Sequence, residues 1–362
     1  MQWSLRFRRA LRILLIVVLS AGTAGCYYMQ AANGQWQVLR KREPIAEVLA
    51  DDATSENLAD RLRLVQAARQ FSIDELGLPD NDSYRSYADI EREFVVWNVF
   101  AAPEFSLQPK EWCFPVAGCV NYRGYFSRDA AYRESARLAK SGYDVAVGGV
   151  SAYSTLGKFD DPVLSSMMRW DDIQLVAVLF HELAHQVLYI KGDSAFNESF
   201  ATAVEEFGVG RWLASNDRVD DIDVYRARRE LRQKLMALVA AAREDLRAHF
   251  SAAVPDEEKR RLKAARLKQL SEAAAETLAA AGREGSNWLS GELNNARLVS
   301  MSLYEGRLPA FRVLFADCDR DIRCFYARAG ELANLDTPSR NKALDGLAGR
   351  EPQRVPRPFD PP

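Results

Sequence analysis

Residues 172–188 read Asp172-Ile173-Gln174-Leu175-Val176-Ala177-Val178-Leu179-Phe180-His181-Glu182-Leu183-Ala184-His185-Gln186-Val187-Leu188, and the fold turns on them. The run is apolar at most positions and continues to Ile190, which predicts a buried helix over 172–190. Inside it stands His-Glu-x-x-His, a pattern that binds zinc when it lies on a helix. His181 and His185 fall one turn apart on one face, so both imidazoles can reach one ion at about 2.0–2.1 Å. Glu182 is rotated by about 100° from His181, because a helix has 3.6 residues per turn, and it faces the side where a metal-bound water would sit. Two of the chain's three histidines fall in this motif. A purely structural role would bury two imidazoles and a carboxylate in an apolar helix, at a desolvation cost of several kcal/mol.

A catalytic zinc takes three protein ligands and keeps its fourth position for water. His249, the remaining histidine, lies among Arg247, Ala248 and Phe250 in a charged stretch and reads as an exposed helix residue. A carboxylate is then the expected third ligand. After the turn Lys191-Gly192-Asp193-Ser194, the segment Phe196-Asn197-Glu198-Ser199-Phe200-Ala201 opens a second apolar helix, predicted over 196–213, from which Glu198 can face back toward the first. Asp193, Glu205 and Glu206 are candidate partners for the histidines' other ring nitrogens. Glu205, two turns beyond Glu198 on the same face, is the best placed; acids on a helix surface are the alternative reading.

His-Glu-Leu-Ala-His-Gln (181–186) followed by Asn-Glu-Ser-Phe-Ala (197–201) resembles the paired motifs of gluzincin metallopeptidases of the aminopeptidase N type. The resemblance implies a zincin-like core, one Zn2+ per chain held by His181, His185 and Glu198, and Glu182 as general base. The spacing departs from that type: only twelve residues separate His185 from Glu198, so the turn between the helices must be tighter. A family of bacterial lipoprotein aminopeptidases is more closely similar, through Tyr122 to Ser127, Tyr153 to Pro162, the zinc region, and Asn294-Asn295-Ala296-Arg297-Leu298 with Tyr304. From that setting Tyr304 is the candidate donor to a tetrahedral oxyanion, with packing as its alternative role.

Val145 to Tyr153 is predicted to be a strand containing a glycine pair, which marks close approach by a backbone or a ligand. It precedes the zinc helix, as substrate-binding strands do in related peptidases. Gly149, Val150 and Ser151 are thus expected either to pair with an extended peptide substrate or to form an ordinary sheet strand. Aminopeptidase N types hold the substrate amine with a glutamate in a Gly-x-x-Glu-Asn segment of that strand, and Gly148-Gly149-Val150-Ser151-Ala152 has no acid. Asp160 or Asp161 is then the expected amine anchor. Three readings stay open: an aminopeptidase, an endopeptidase of the same chemistry, and a non-catalytic scaffold that binds an envelope partner through its charged helices.

The N-terminus points to export. Arg6, Arg8, Arg9 and Arg12 precede the apolar run Ile13–Leu19, and small residues lead to Cys26, so residues 1–25 read as a signal peptide. Ala24-Gly25-Cys26 resembles a lipobox, although Thr23 stands where leucine is usual; an ordinary signal cleaved near Ala24 is the alternative. Lipidation of Cys26 would make the chain a membrane-anchored lipoprotein, and Tyr28 rather than aspartate resembles the outer-membrane type, facing the periplasm. Losing residues 1–25 removes four arginines and no acid, which takes the formal charge from −2 to −6. Cys113 with Cys119 and Cys318 with Cys324 are each six apart, which suits two local disulfides in an oxidising compartment better than a cysteine metal site.

The 362 residues are 48% apolar, 27% charged and 10% aromatic, the balance of a protein with a large core. With 48 basic against 50 acidic residues, no partner nucleic acid is expected. Oligomeric state is not readable. Helical spacing predicts two helices over 35–76 broken at Asp51–Ser55, short strands and turns from Phe94 to Tyr125, and a helix from Ser127 to Ser141. The pattern is α+β and mostly helical: 26–215 a zincin-like region with N-terminal helices, a small sheet and the zinc helices; 216–285 a long charged hairpin interrupted at Pro255, with a solvated face; 286–345 a C-terminal helical part completing the site; 346–362 a proline-rich tail.

Overall fold

The computed structural model describes residues 27–114, 118–284, 293–301 and 306–350. The signal segment, Cys26 and Tyr304 lie outside the described residues. The chain is mostly helical with three small sheets, an α+β arrangement. Among the described residues no helix is long and apolar enough to cross a membrane.

Residues 27–40 form helix α1, followed by β1 (Arg42–Pro44), α2 (Ile45–Ala50) and α3 (Glu56–Asp74). The break at Asp51–Ser55 is as expected, and the Ser55 hydroxyl starts α3 by accepting the Leu58 amide. β2 (Ser86–Ala88) pairs antiparallel with β1 and parallel with β8 (Val163–Leu164). In the second sheet β3 (Val96–Pro103) lies between β6 (Arg123–Tyr125) and β7 (Tyr143–Val150), antiparallel to both. β4 (Trp112–Phe114) and β5 (Gly118–Val120) form a hairpin in which Cys113 faces Cys119 and is disulfide-bonded to it. Cys318–Cys324 is the second disulfide, so both expected local pairings are present. Helix α4 (Arg128–Lys140) buries Ala131 and Leu138 in one cluster with Val99 and Ala101 of β3.

β7 is an edge strand, and it ends earlier than its sequence predicts. The Ser151 carbonyl accepts the Ser166 hydroxyl at 2.6 Å and the Ser151 hydroxyl accepts Arg169 at 2.7 Å, which turn the chain out of the sheet. Gly149 and Val150 therefore belong to the strand and Ser151 lies just beyond it. The close approach at the glycine pair is a ring: a Cβ on Gly149 would come within 2.3 Å of Phe94.

Helices α5 (Asp172–Val187) and α6 (Ser194–Ser215) form the centre. α5 stops at Val187 rather than at 190, because Leu188 is extended and the chain must turn at once to reach α6. Two side chains fix that turn. Asp193 accepts the Phe196 amide as the cap of α6, and the buried Asn197 amide both accepts from Ile190 N and donates to Ile190 O at 2.8 Å. Lower on α6, a Cβ at Gly208 would lie 2.7 Å from the Phe180 ring, so the missing side chain lets the helices pack closely. Phe196, Phe200 and Phe207 meet Phe311 and Phe315 of α10 (Leu308–Ala316) and Phe325 of α11 (Ile322–Ala333) on the other side of α6.

α7 (Val219–Ser251) and α8 (Asp256–Ala280) form the hairpin, turning before Pro255. Leu235, Val239, Ala242 and Leu246 of α7 face Leu267, Leu270, Ala274 and Leu278 of α8 in two small clusters. The first turns of α7 depart from the expected solvated face: Ile222 and Tyr225 are buried in the main core. Glu206 of α6, fully buried, ties this start of α7 to α10 through Arg229 at 2.9 Å and Arg312 at 2.7 Å. α9 (Asn295–Met301) is held to the β3–β7 sheet by Asn295, whose amide donates to the carbonyls of Pro103, Glu104 and Ser106. α12 (Thr337–Ala348) adds Arg340, which pairs with Asp193 at 2.9 Å.

Replacing Asn197 with alanine removes the partner of the half-buried Ile190 amide, while the Ile190 carbonyl keeps the Asp193 amide at 3.2 Å, and is expected to cost about 1–3 kcal/mol, read as a lowered midpoint in urea denaturation. Glu206→Ala leaves two guanidinium groups around an emptied buried site and is expected to destabilise by about 3–5 kcal/mol in the same assay.

Candidate metal centre

α5 and α6 bring His181, His185 and Glu198 together. One potential ligand atom from each lies within 4.8 Å of the other two. His181 Nε2 is 3.3 Å from Glu198 Oε2 and His185 Nε2 is 3.8 Å from Glu198 Oε1, so both rings turn the same nitrogen toward one carboxylate. The other nitrogen of His181, Nδ1, lies 3.1 Å from Glu205 Oε2. Glu205 in turn accepts the Tyr225 hydroxyl of α7 on Oε1 at 2.9 Å. Of the three acids weighed for this position the structure thus brings up Glu205. Asp193 is occupied capping α6 and pairing with Arg340, and Glu206 faces the arginines behind it. His249 sits in the last turn of α7, apart from the cluster.

The electrostatics follow from packing three carboxylates around two imidazoles. Burial opposes charge on His181, but the hydrogen-bonded Glu198 and Glu205 outweigh it and raise its pKa to about 10. Burial, and then the charge on His181, push His185 down to about 4. Glu182 is pushed up to about 7 by burial and by the charges of Glu198, Asp161 and Glu205, against the pull of His181. Burial also works against ionised Glu205, yet its hydrogen bond to His181 and the charge of Arg229 hold its carboxyl below the usual value. Two imidazole nitrogens and one carboxylate oxygen, with a carboxylate behind one imidazole, are a donor set that fits a zinc ion. His185 Nδ1 is buried with no partner among the described residues.

The cluster forms part of the wall of a cavity of about 1030 Å³. Glu182 faces it beside the two histidines, and Val150, Ala152 and Ser154 bring the end of β7 and its exit to the same space. Gly149 and Ser151 are not on that wall. Neither is Asp160, which pairs with Arg42 at 3.8 Å, nor Asp161, whose carboxylate clamps Thr155 through its amide at 2.7 Å and hydroxyl at 2.9 Å. The expectation that one of them anchors a substrate amine therefore finds no geometric footing.

Three parts of the wall had escaped sequence reasoning. Helix α1 contributes Tyr27, Tyr28 and Gln35; it is docked by the Gln30 amide on the Gly124 carbonyl and the Phe126 amide, and by the Tyr153 hydroxyl on Gln35. Tyr122 and Tyr189 flank the cluster, and burial together with nearby Glu198 pushes the Tyr122 phenol up to about 12. The third part is α7, with Tyr225, Arg228, Arg229 and Arg232. Two of these had a legible signal: Tyr122 opens a segment that carries the family resemblance, and the α7 group has a spacing of three, four and seven residues that marks one helix face.

A search of curated proteins and a search of solved structures each found no match. The model of the family described as "Putative aminopeptidase" matches residues 26–344, and the chain belongs to that family.

Proposed function

We propose that the protein is a zinc-dependent peptidase, acting as an aminopeptidase on peptides in the cell envelope. In this reading a lipid on Cys26 tethers it to the outer membrane on the periplasmic side. The observation that carries the proposal is the convergence of His181, His185 and Glu198 beside Glu182 in one cavity, with Glu205 behind His181. A zincin-like core is the fold this reading implies.

His181, His185 and Glu198 would hold the ion, which when bound supplies an activated water and polarises the scissile carbonyl. Glu182 takes the proton of that water and passes it to the leaving amine. Glu205 fixes the tautomer of His181 by accepting its Nδ1 proton, and Tyr225 fixes Glu205. Val150 and the edge of β7 offer main chain to an extended peptide, and Tyr304 is retained as the donor to the developing oxyanion. Among the described residues that line the cavity no carboxylate beyond Glu182, Glu198 and Glu205 is present to hold an amine, which favours internal cleavage as the second reading.

Three outcomes are expected. Glu182→Ala keeps about one zinc per chain by metal analysis and loses hydrolysis by a factor of about 10²–10⁴; retained hydrolysis would remove Glu182 from its role. Glu205→Ala lowers zinc affinity by about 10–100-fold. The pH dependence follows from His181, which carries a proton below a pKa of about 10 in the metal-free protein and must shed it to become a ligand. Zinc titrated into stripped protein at pH 8 therefore releases about one proton from His181 beyond the one given up by an ionising zinc-bound water, about two in all, and affinity rises as pH approaches 10. Calorimetry in buffers of different ionisation heat reads this directly, and a release of one or fewer would exclude His181 as a donor.

A further inference from the structure

Going beyond the peptidase reading, and sharing with it only the lipid on Cys26, we propose that the outward face of helix α1 is a membrane-contact surface that lies in the headgroup region of a phospholipid bilayer. The amphipathicity of this helix is partly inverted. Its inward side buries Gly34 and Val38 but also takes two glutamines: Gln30 bonds the Gly124 carbonyl and the Phe126 amide, and Gln35 accepts the Tyr153 hydroxyl. Its outward side carries Met29 at 73% exposure, Trp36 at 54% and Tyr28 at 44%. At 100° per residue Tyr28, Ala32, Trp36 and Met29 fall in that order within about 100° of arc, so they form one stripe. Tyr28, at the edge of the stripe, also lines the cavity. A surface helix in water carries its large apolar side chains on the side that faces the core.

Charge points the same way. No Asp, Glu, Lys or Arg occurs from Tyr27 to Leu39, in a chain that is 27% charged. The first charges stand at the far end of the helix, where Lys41 pairs with Glu91 at 3.2 Å, Arg42 pairs with Asp160 at 3.8 Å, and Arg40 lays its guanidinium over Trp36 at 4.4 Å. Tryptophan, tyrosine and methionine with a cation at the rim suit the boundary between headgroups and acyl chains, where an aromatic ring can keep its polar edge wet. Size and place favour a bilayer over a second copy of the chain. Residues 27–40 make a helix about 21 Å long, and a stripe about 10 Å wide on it offers roughly 200 Å², against about 800 Å² from each partner in a stable protein interface. The stripe begins two residues after Cys26, and the apolar run Ile13–Leu19 precedes it.

The test holds the protein at a bilayer whether or not cells acylate it. The chain from residue 26 onward is coupled through the Cys26 thiol, the other four cysteines being paired in disulfides, to a maleimide lipid in vesicles of phosphatidylethanolamine and phosphatidylglycerol. Trp36 emission is taken as the difference between the parent chain and Trp36→Phe. It is expected to fall at least about twofold when the acyl chains are brominated, because an interfacial helix buries its apolar face about 5–10 Å into the boundary of headgroups and acyl chains. Met29→Glu together with Ala32→Glu puts two charges into the stripe and is expected to abolish the quenching while leaving the thermal midpoint unchanged, since both side chains are exposed. Should that variant fail to fold, the response of the parent to bromination decides alone. Absence of quenching in the parent overturns the surface, and so does quenching that survives both glutamates. Shielding of Trp36 that appears without vesicles and grows with protein concentration also overturns it, assigning the face to a second copy. Acylation stands or falls separately: quenching with no fatty acid on Cys26 in cells keeps the surface and removes the lipoprotein reading, and a fatty acid without quenching keeps the lipoprotein reading and removes the surface.

Discussion

The hydrogen bond between His181 and Glu205 depends on two helices being held at one rotation and one depth, and most of the remaining structure serves that constraint. His181 belongs to α5 and Glu205 to α6, joined by a turn of a few residues. Glu198 and Glu205 are seven residues apart on α6, so both face α5 only if α6 presents one particular side. The Asn197 amide locks the turn by closing on both polar groups of Ile190, and it is the immediate neighbour of Glu198. Gly208 sets the depth, since the absence of a side chain brings α6 onto the Phe180 ring two residues before Glu182.

The same helix carries two adjacent glutamates with opposite tasks. Glu205 faces the cavity and Glu206, turned about 100° away, faces the buried side of the molecule. Each would be costly to bury alone. Glu206 is matched by Arg229 and Arg312, drawn from α7 and α10, and the charge of Arg229 also helps hold the Glu205 carboxyl below its usual pKa. A long hairpin far downstream in sequence is thus required for the charge state of a residue behind His181. This is why the charged hairpin, though solvated along most of its length, starts inside the main core.

Local features were legible in the sequence because local physics determines them. The break at Asp51–Ser55, the turn at Pro255 and both six-residue disulfides depend on contacts within a few residues. The His181–His185 pairing follows from helix geometry, and Glu205 from the position of Glu198. Among what escaped were contacts between segments more than eighty residues apart. Gln35 meets Tyr153 and Gln30 meets Gly124, and nothing in either segment alone announces the other. Ser151 was placed in a strand by its neighbours' β-propensity, whereas hydrogen bonds from Ser166 and Arg169 draw it out. Asp161 was a candidate amine anchor, but one of its carboxylate oxygens is committed to Thr155 and the residue does not line the cavity.

The docking of α1 gives the proposed tether a structural meaning. Tyr27 stacks on Phe114 at 5.3 Å, lies under the Arg123 guanidinium at 4.1 Å, and lines the cavity. Gly34 has no room for a side chain, because a Cβ there would overlap the Phe126 ring at 2.0 Å. Helix α1 is therefore seated at both ends, at Tyr27 and at Gln35, and is not a free stalk. A lipid on Cys26 would sit one residue from a cavity wall, with no flexible spacer among residues 27–40 to hold the body away from a membrane. The Tyr27 side of the cavity wall would then stand close to the lipid surface, which would restrict what reaches the cavity from that side. Short peptides would meet that condition more easily than folded chains.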